Sequence, residues 1–150
     1  MSAKSFEVKR ITVANIQRCL ERLLENVTSA SELISQPANI LINIFQQAYG
    51  GDLLVPLLIK ILAKETKIYA KLNDCNKLIS TLEVFMVLLK ETTNFVTKPR
   101  NVKQCVFLIS KVAFEYYRTP AVTQPIIGSM LTLRDLNLKA TMTNLSKLNP

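Results

Sequence analysis

The sequence predicts an all-α fold, and three of its features support that prediction. Glycine is scarce, with 3 in 150 residues, whereas a sheet protein of this size needs more glycines for its hairpin turns. Apolar residues recur at the three- and four-residue spacing of a helix face through most of the chain. Proline, Gly-Gly and Asn-Asp divide this pattern into six or seven helices of roughly 10–20 residues. We therefore expect one domain over residues 1–150, either a multi-helix bundle or a short right-handed superhelix of stacked hairpins.

The first third of the chain predicts two helices. Residues 1–11 are polar and form a lead-in, and Thr12 is placed to cap a helix that runs to about Val27. A short turn or helix follows up to Gln36. Pro37 then suits the first turn of a second helix, because its missing N–H has no partner there. Gly50-Gly51 ends that helix.

The stretch DLLVPLLIKILAKETKIYAKL, residues 52–72, is apolar almost all round and predicts a core helix capped by Asp52. Its four lysines, Lys60, Lys64, Lys67 and Lys71, project within about 60° of one another on a helix. They predict a single cationic ridge that reaches water along an otherwise buried helix.

The second half of the chain predicts four more helices. The first spans about Cys75 to Glu91 and is largely buried. A loop over residues 92–100 leads to an amphipathic helix over 101–117, and a shorter helix spans 125–133. Residues 134–150 have weak periodicity and predict a last, loosely docked helical tail.

One segment carries a family resemblance. STLEVFMVLLKETTNFV, residues 80–96, followed by a long apolar helix, resembles the central helix of VHS/ENTH-type or armadillo/HEAT-like superhelical domains. The resemblance covers about a quarter of the chain. It implies a superhelical fold and assigns no functional residue.

The composition argues against an enzyme. The chain has no histidine, which removes the commonest general base and metal ligand. Its three glycines cannot form a phosphate-binding loop, and its 11 acidic residues are scattered without an acid–base pairing. We expect no catalytic residue, no cofactor, no metal and no small-molecule substrate.

The cysteines and the N-terminus predict an intracellular protein, cytoplasmic or nuclear. Cys19, Cys75 and Cys105 are odd in number and widely spaced, which indicates reduced thiols that face the core. The first ten residues are polar and charged, unlike a signal peptide, and no apolar run is long enough to span a membrane.

The net charge of +8 favours a polyanionic partner, either nucleic acid or anionic lipid, or an acidic protein surface. The same charge also serves solubility. Candidate polyanion-binding residues are Lys60, Lys64, Lys67, Lys71, Lys98, Arg100 and Lys103, with Lys77 and Lys111 as extensions. Tyr116, Tyr117 and Arg118 suit either stacking on a single-stranded base or ordinary packing.

Helices that are apolar on most sides also predict a protein-binding groove or a self-association surface. Its candidate residues are Phe45, Tyr49, Phe85, Leu89, Tyr116 and Tyr117. The leading hypothesis is therefore a non-enzymatic protein–protein interaction module, an adaptor or assembly subunit, with another protein or a second copy as partner. The alternatives are nucleic-acid or anionic-membrane binding through the central helix, and a viral or structural assembly protein.

Overall fold

A computed structural model describes residues 3–29, 31–72 and 76–148, with side chains over 13–29, 31–66 and 76–148. These residues form seven α-helices, one 3-10 helix and no strand, which confirms the all-α prediction. In chain order the helices are α1 (Ala3–Val27), α2 (Glu32–Tyr49), α3 (Gly51–Leu72), α4 (Asn76–Leu89), the 3-10 helix (Phe95–Thr97), α5 (Pro99–Tyr116), α6 (Pro120–Leu136) and α7 (Leu138–Ser146).

Backbone contacts divide the chain into two compact units, residues 1–44 and residues 45–150. The first unit contains α1 and most of α2. The second contains the last turn of α2 and all of α3 to α7. One domain over residues 1–150 stays a prediction.

In the second unit, four helices form a ring. α3 packs on α4, α4 on α6, α6 on α5, and α5 returns to α3, while α7 packs against α5 and α6. Each of these pairs is one or two helices apart in the chain, as in stacked helical hairpins. The choice between a bundle and a short superhelix stays a prediction.

The core of this unit is built mainly from leucine. Each fully buried leucine or phenylalanine stabilises the fold by about 1.5–3 kcal/mol relative to an exposed one. The largest side chains that are almost completely buried there are Leu54, Leu58, Ile61, Leu62, Leu78, Leu82, Phe85, Leu88, Leu89 and Ile109. α3 and α4 supply most of them, which confirms that the stretch after Gly51 is a core helix.

The N-terminal helices are longer than the sequence pattern predicts. α1 begins at Ala3, so the lead-in predicted over residues 1–11 is wrong for residues 3–11. This segment contains Ala, Lys, Glu and Arg and neither Gly nor Pro, so nothing in it stops a helix. α2 begins at Glu32, which places Pro37 inside the helix instead of in its first turn.

The C-terminal helices also differ from the prediction. α6 starts at Pro120 and continues through Pro125, so it is longer than the predicted span 125–133. The predicted loose tail is wrong, because α7 packs on α5 and α6 and buries Ala140, Thr141 and Asn144.

Asn137 anchors the start of α7 and was not predicted as a cap. Its side-chain carbonyl accepts a hydrogen bond from the Ala140 N–H at 3.2 Å. Its amide donates to the Val96 carbonyl at 2.7 Å. One side chain therefore caps α7 and ties it to the segment just before α5.

Two glycines allow α3 to begin directly after α2. Gly50 has a φ of 75°, the left-handed conformation that ends α2. Gly51, the first residue of α3, lies against the end of α4: a Cβ there would collide with the Leu88 carbonyl oxygen and lie 3.0 Å from the Thr92 nitrogen. Only glycine permits this approach of backbone to backbone.

Asp52, predicted to cap its own helix, instead caps the 3-10 helix. Its carboxylate accepts hydrogen bonds from the backbone N–H groups of Thr93 at 3.1 Å and Phe95 at 3.0 Å, and from the Thr93 hydroxyl at 2.8 Å. The Asn94 N–H also donates, at 3.2 Å. The bond from the Phe95 amide, with those from Thr93 and Asn94, lowers the pKa of Asp52 below its ordinary value.

We expect Gly51→Ala to destabilise the protein by about 1–3 kcal/mol, because the new methyl group overlaps backbone atoms that cannot rotate away. Helix propensity alone predicts the opposite sign, since alanine is the better helix former. Urea unfolding followed by circular dichroism measures the difference. Gly50→Asn is the control: no atom lies within 4 Å of its Cβ position, and asparagine tolerates the left-handed conformation. A Gly51→Ala protein as stable as wild type would contradict this close approach.

We expect Asp52→Asn to lower the free energy of unfolding by about 1 kcal/mol at neutral pH, a value discounted for the exposure of the carboxylate. Because folding lowers the pKa of Asp52, its stabilisation is complete above the unfolded pKa of about 3.9 and is lost as the pH falls through the folded pKa. The gap between wild type and Asp52→Asn should therefore close below about pH 4. Asp135→Asn, which removes only a surface pair with Arg134, should leave the unfolding midpoint unchanged. A gap that persists at low pH would argue against a role for the charge.

Candidate functional site

One face of α2 is apolar and exposed to solvent. Its side chains lie within about 100° of one another around the helix. They are Leu33, Pro37, Ile40, Leu41 and Ile44, called here the α2 apolar face. Leu33 is 89% exposed, and Ile40 is 60% exposed. Glu32 is the only charged residue of α2, so the face carries no charge along its length.

The neighbouring side of α2 is partly covered. Ala38 and Ile42 are buried, Phe45 is half-buried, and Tyr49 is exposed at the end of the helix. The Phe45 and Tyr49 rings contact each other, with centroids 5.3 Å apart and planes inclined by 56°. These two predicted groove residues therefore contact each other, and the Tyr49 ring also reaches solvent.

A cationic cleft lies between α5 and α7. It encloses about 670 Å³. Four of its lining side chains are basic and none is acidic, and the rest are mainly hydroxyls, amides and small apolar groups. The cleft is lined by Thr97, Pro99, Arg100, Lys103, Asn137, Lys139, Ala140, Thr143, Asn144 and Lys147.

Local structure places these basic residues together. On α7, Lys139, Thr143 and Lys147 are four residues apart and share one helix face. Arg100 and Lys103 lie in the first turns of α5. Because Asn137 bonds the Val96 carbonyl at 2.7 Å, the beginnings of α5 and α7 lie at the same end of the unit. Two basic helix faces therefore meet across one concave surface.

The outward side of α5 alternates basic and aromatic residues. Arg100, Lys103, Phe107, Lys111 and Phe114 recur every three or four residues, which places them on one stripe. This stripe is the α5 cationic–aromatic face. All five side chains are exposed, and Phe114 is 81% exposed. Arg100 and Lys103 belong to both this face and the cleft.

Two cation–π contacts order this side of α5. The Lys103 ammonium lies 5.6 Å from the centroid of the Phe107 ring. Beyond the end of the helix, the Arg118 guanidinium lies 5.2 Å from the centroid of the Tyr117 ring, and Tyr117 is 68% exposed. Each such contact is worth about 0.5–1 kcal/mol at an exposed site.

The predicted polyanion-binding residues fall into separate places. Lys60 and Lys64 are exposed on α3, as predicted, whereas the side chains of Lys67 and Lys71 lie outside the described residues. Lys98 borders a different, smaller cavity of about 300 Å³ that Asp52 also lines. Of the five predicted residues whose side chains are described, only Arg100 and Lys103 line the cleft.

The two predicted extensions of the basic group, Lys77 and Lys111, lie in different parts of the structure. Lys111 lies on the α5 cationic–aromatic face. Lys77 is half-buried on α4, and its ammonium lies 3.6 Å from the carboxylate of the buried Glu65. That carboxylate also accepts a hydrogen bond from Thr81 at 3.2 Å. Lys77 is therefore part of a buried polar cluster between α3 and α4, not of the surface group.

The predicted partner groove includes residues that the structure buries, and for these residues the prediction is wrong. Phe85 and Leu89 are completely buried in the core and Tyr116 is buried as well, so they contribute to no surface. The reason is that α4 contacts both α3 and α6, which cover two of its sides. The groove that α4 does border is shallow, encloses about 380 Å³ and includes Met86 of α4 and Leu131 of α6.

Sequence reasoning missed several of the residues described here. Lys139 and Lys147 lie in the segment predicted as a loose tail, although their eight-residue spacing on one helix face was a usable signal. Phe114 was not predicted as a site residue, although its spacing of seven residues from Phe107 and three from Lys111 places all three on one helix face. Leu33 lies in the stretch predicted as a short turn or helix, separate from the second helix, so its place on the α2 apolar face was not recognised.

The described part of the chain shows no group of three or more potential metal ligands. Cys105 is buried in α5, as predicted, and burial raises the pKa of its thiol to about 12. Cys19 is exposed, so the prediction that it faces the core is wrong. Cys75 lies outside the described residues.

No family model, curated protein or solved structure shows significant similarity to this chain. Among the helices described, none combines the length and apolar character needed to cross a bilayer.

We expect alkylation of the native protein by iodoacetamide near neutral pH to modify Cys19 and spare Cys105. Of these two described thiols, that of Cys19 is exposed, whereas Cys105 is buried and has almost no thiolate at this pH. Peptide mass spectrometry gives the modified fraction of each site. Denaturant should make Cys105 as reactive as Cys19. Modification of native Cys105 at the rate of Cys19 would show that α5 is not packed as described.

Proposed function

We propose that this protein is a non-enzymatic helical interaction module that self-associates through the α2 apolar face. The observation that carries the proposal is the exposure of Leu33, Ile40, Leu41 and Ile44 on one uncharged helix face, at 89%, 60%, 45% and 53%. Single exposed apolar residues are common on any surface. A continuous stripe of them marks an interaction surface.

A second copy is the occupant that this face fits. Each molecule carries a net charge of +8, so like molecules repel each other at most of their surface. The α2 apolar face is free of charge, and pairing there brings no two cations into contact. Two identical helix faces can pair about a two-fold axis, with each residue of one copy meeting its symmetry mate or a neighbour.

The size of the face sets the strength of the association. From Leu33 to Ile44 it is about 17 Å long at the helical rise per residue. One helix pair of this length buries less than the roughly 1,600 Å² of a standard stable interface. The association should therefore be reversible, with a dissociation constant of about 10–100 µM.

The proposal also covers the partner, the absence of catalysis, the location and the fold type. Its partner is a protein, first of all a second copy, and no small-molecule substrate is involved. The lack of histidine in the sequence supports a non-enzymatic role. Cys19, an exposed free thiol, supports an intracellular protein, since thiols stay reduced there. The packing of neighbouring helices supports a short superhelix of the armadillo/HEAT or VHS/ENTH type.

We expect the weight-average mass from size-exclusion chromatography with light scattering to rise above the monomer mass of 16.9 kDa as concentration increases from about 1 µM to about 200 µM. Ile40→Gln with Ile44→Gln should abolish the rise, because it removes apolar contact area. Glutamine is a better helix former than isoleucine, so α2 itself should persist.

Asn43→Gln with Gln47→Asn is the matched control. Both residues are exposed polar side chains of α2 outside the apolar face, and this pair should associate like wild type. Added salt should strengthen the association, because it screens the repulsion between two cationic molecules. A wild-type protein that stays monomeric over the whole concentration range would overturn the proposal, as would equal loss of association in both pairs of variants.

A further inference from the structure

The second unit carries a surface that the α2 proposal does not use: the cationic cleft together with the α5 cationic–aromatic face. We propose that this surface binds single-stranded nucleic acid. Phosphates would occupy the cleft, and unpaired bases would stack on the exposed rings along α5. The proposal is independent of self-association, since its residues lie on or next to α5 and α7 and none lies on α2.

The cleft has the chemistry of a phosphate site. Arg100, Lys103, Lys139 and Lys147 surround a concave space of about 670 Å³ that has no acidic side chain in its lining. Arginine and lysine donate charge-assisted hydrogen bonds to phosphate oxygens. The hydroxyl of Thr143 and the amide of Asn144 add polar groups to the same wall. Each phosphate held there would release condensed counterions from the strand.

The exposed aromatic residues point to bases as the second half of the ligand. Phe114 is 81% exposed and Tyr117 is 68% exposed, although both belong to residue types that usually bury their rings. Bases stack on such rings with little dependence on sequence, because every base has a π-face. A strand offers its base faces only when it is unpaired, because a duplex hides them within its own stack.

The spacing of charges and rings fits a strand lying along α5. The α5 cationic–aromatic face runs about 21 Å from Arg100 to Phe114 at the helical rise per residue. From Lys103 to Phe114, cations alternate with rings, so the backbone and bases of one strand would meet their partners in turn. Glu115 is the only acidic residue of α5, and it projects about 100° from Phe114, at the edge of the face.

Binding to anionic membranes is the nearest rival, since basic and aromatic residues also favour lipid surfaces. The cleft argues against it. It is concave and lined by polar groups, whereas a membrane meets a convex or flat face with a wide apolar area. The two phenylalanines of α5 are separated by Lys111 and do not form such an area.

The test uses the full chain and a fluorescent single-stranded oligonucleotide of about 15 nucleotides, mixed in sequence, titrated by anisotropy at about 50 mM and about 200 mM salt. Duplex DNA of the same sequence and vesicles with anionic lipid are titrated in parallel. We expect the single strand to bind more tightly than the duplex or the vesicles, with an affinity that falls steeply as salt rises.

Two sets of variants separate the roles of rings and charges. Phe114→Ser should weaken single-strand binding about tenfold and leave any duplex binding unchanged. Lys139→Gln with Lys147→Gln should weaken single-strand binding about tenfold and reduce the slope of log affinity against log salt by about 1.4, the loss of two phosphate contacts. All three side chains are exposed, so thermal unfolding should match wild type.

Lys60→Gln with Lys64→Gln is the matched control, since it removes the same charge from exposed positions on α3 outside the cleft. It should change single-strand affinity less than twofold. An equal effect of both lysine pairs would overturn the proposal by showing general charge attraction. Duplex binding as tight as single-strand binding, no effect of Phe114→Ser, or binding to vesicles alone would overturn it as well.

Discussion

The contact between the start of α3 and the end of α4 is the constraint on which the second unit depends. Gly51 lets the α3 backbone lie against the Leu88 carbonyl, and Asp52 holds the N–H groups of Thr93 and Phe95. The chain after α4 is thereby fixed beside the start of α3. α5 begins four residues after Phe95, so its position against α3 follows from this one junction.

Apolar residues are divided between a buried core and exposed helix faces. About half of the chain is hydrophobic by composition, and the ring of α3, α4, α5 and α6 buries most of the described leucines of α3 and α4 nearly completely. α2 and the outward side of α5 keep large apolar side chains in solvent instead. Exposure of such residues brings no stability to the monomer, and for this reason the proposed binding surfaces are built on Leu33, Ile40 and Phe114.

The net charge of +8 is not spread evenly over the described surface. Arg100, Lys103, Lys139 and Lys147 surround one cleft without a carboxylate, whereas Lys77 is neutralised by Glu65. The carboxylate of Asp52 accepts backbone N–H groups and borders a different cavity, outside the cleft. The arrangement brings together residues that are up to 47 positions apart in the sequence, from Arg100 to Lys147. The tertiary packing of α7 on α5 creates this cluster.

Local pattern determined the helical class, the core helix after Gly51, the helix break at Gly50 and the burial of Cys105, because helix periodicity and glycine conformation act within a few residues. Local pattern could not predict the starts of α1 at Ala3, α2 at Glu32 and α6 at Pro120. Residues 3–11 contain neither Gly nor Pro to stop a helix, and α2 and α6 each continue through an internal proline. The candidate sites depended on tertiary structure. Whether Phe85 or Phe114 is exposed is decided by which helices pack on α4 and α5, and periodicity alone cannot specify that.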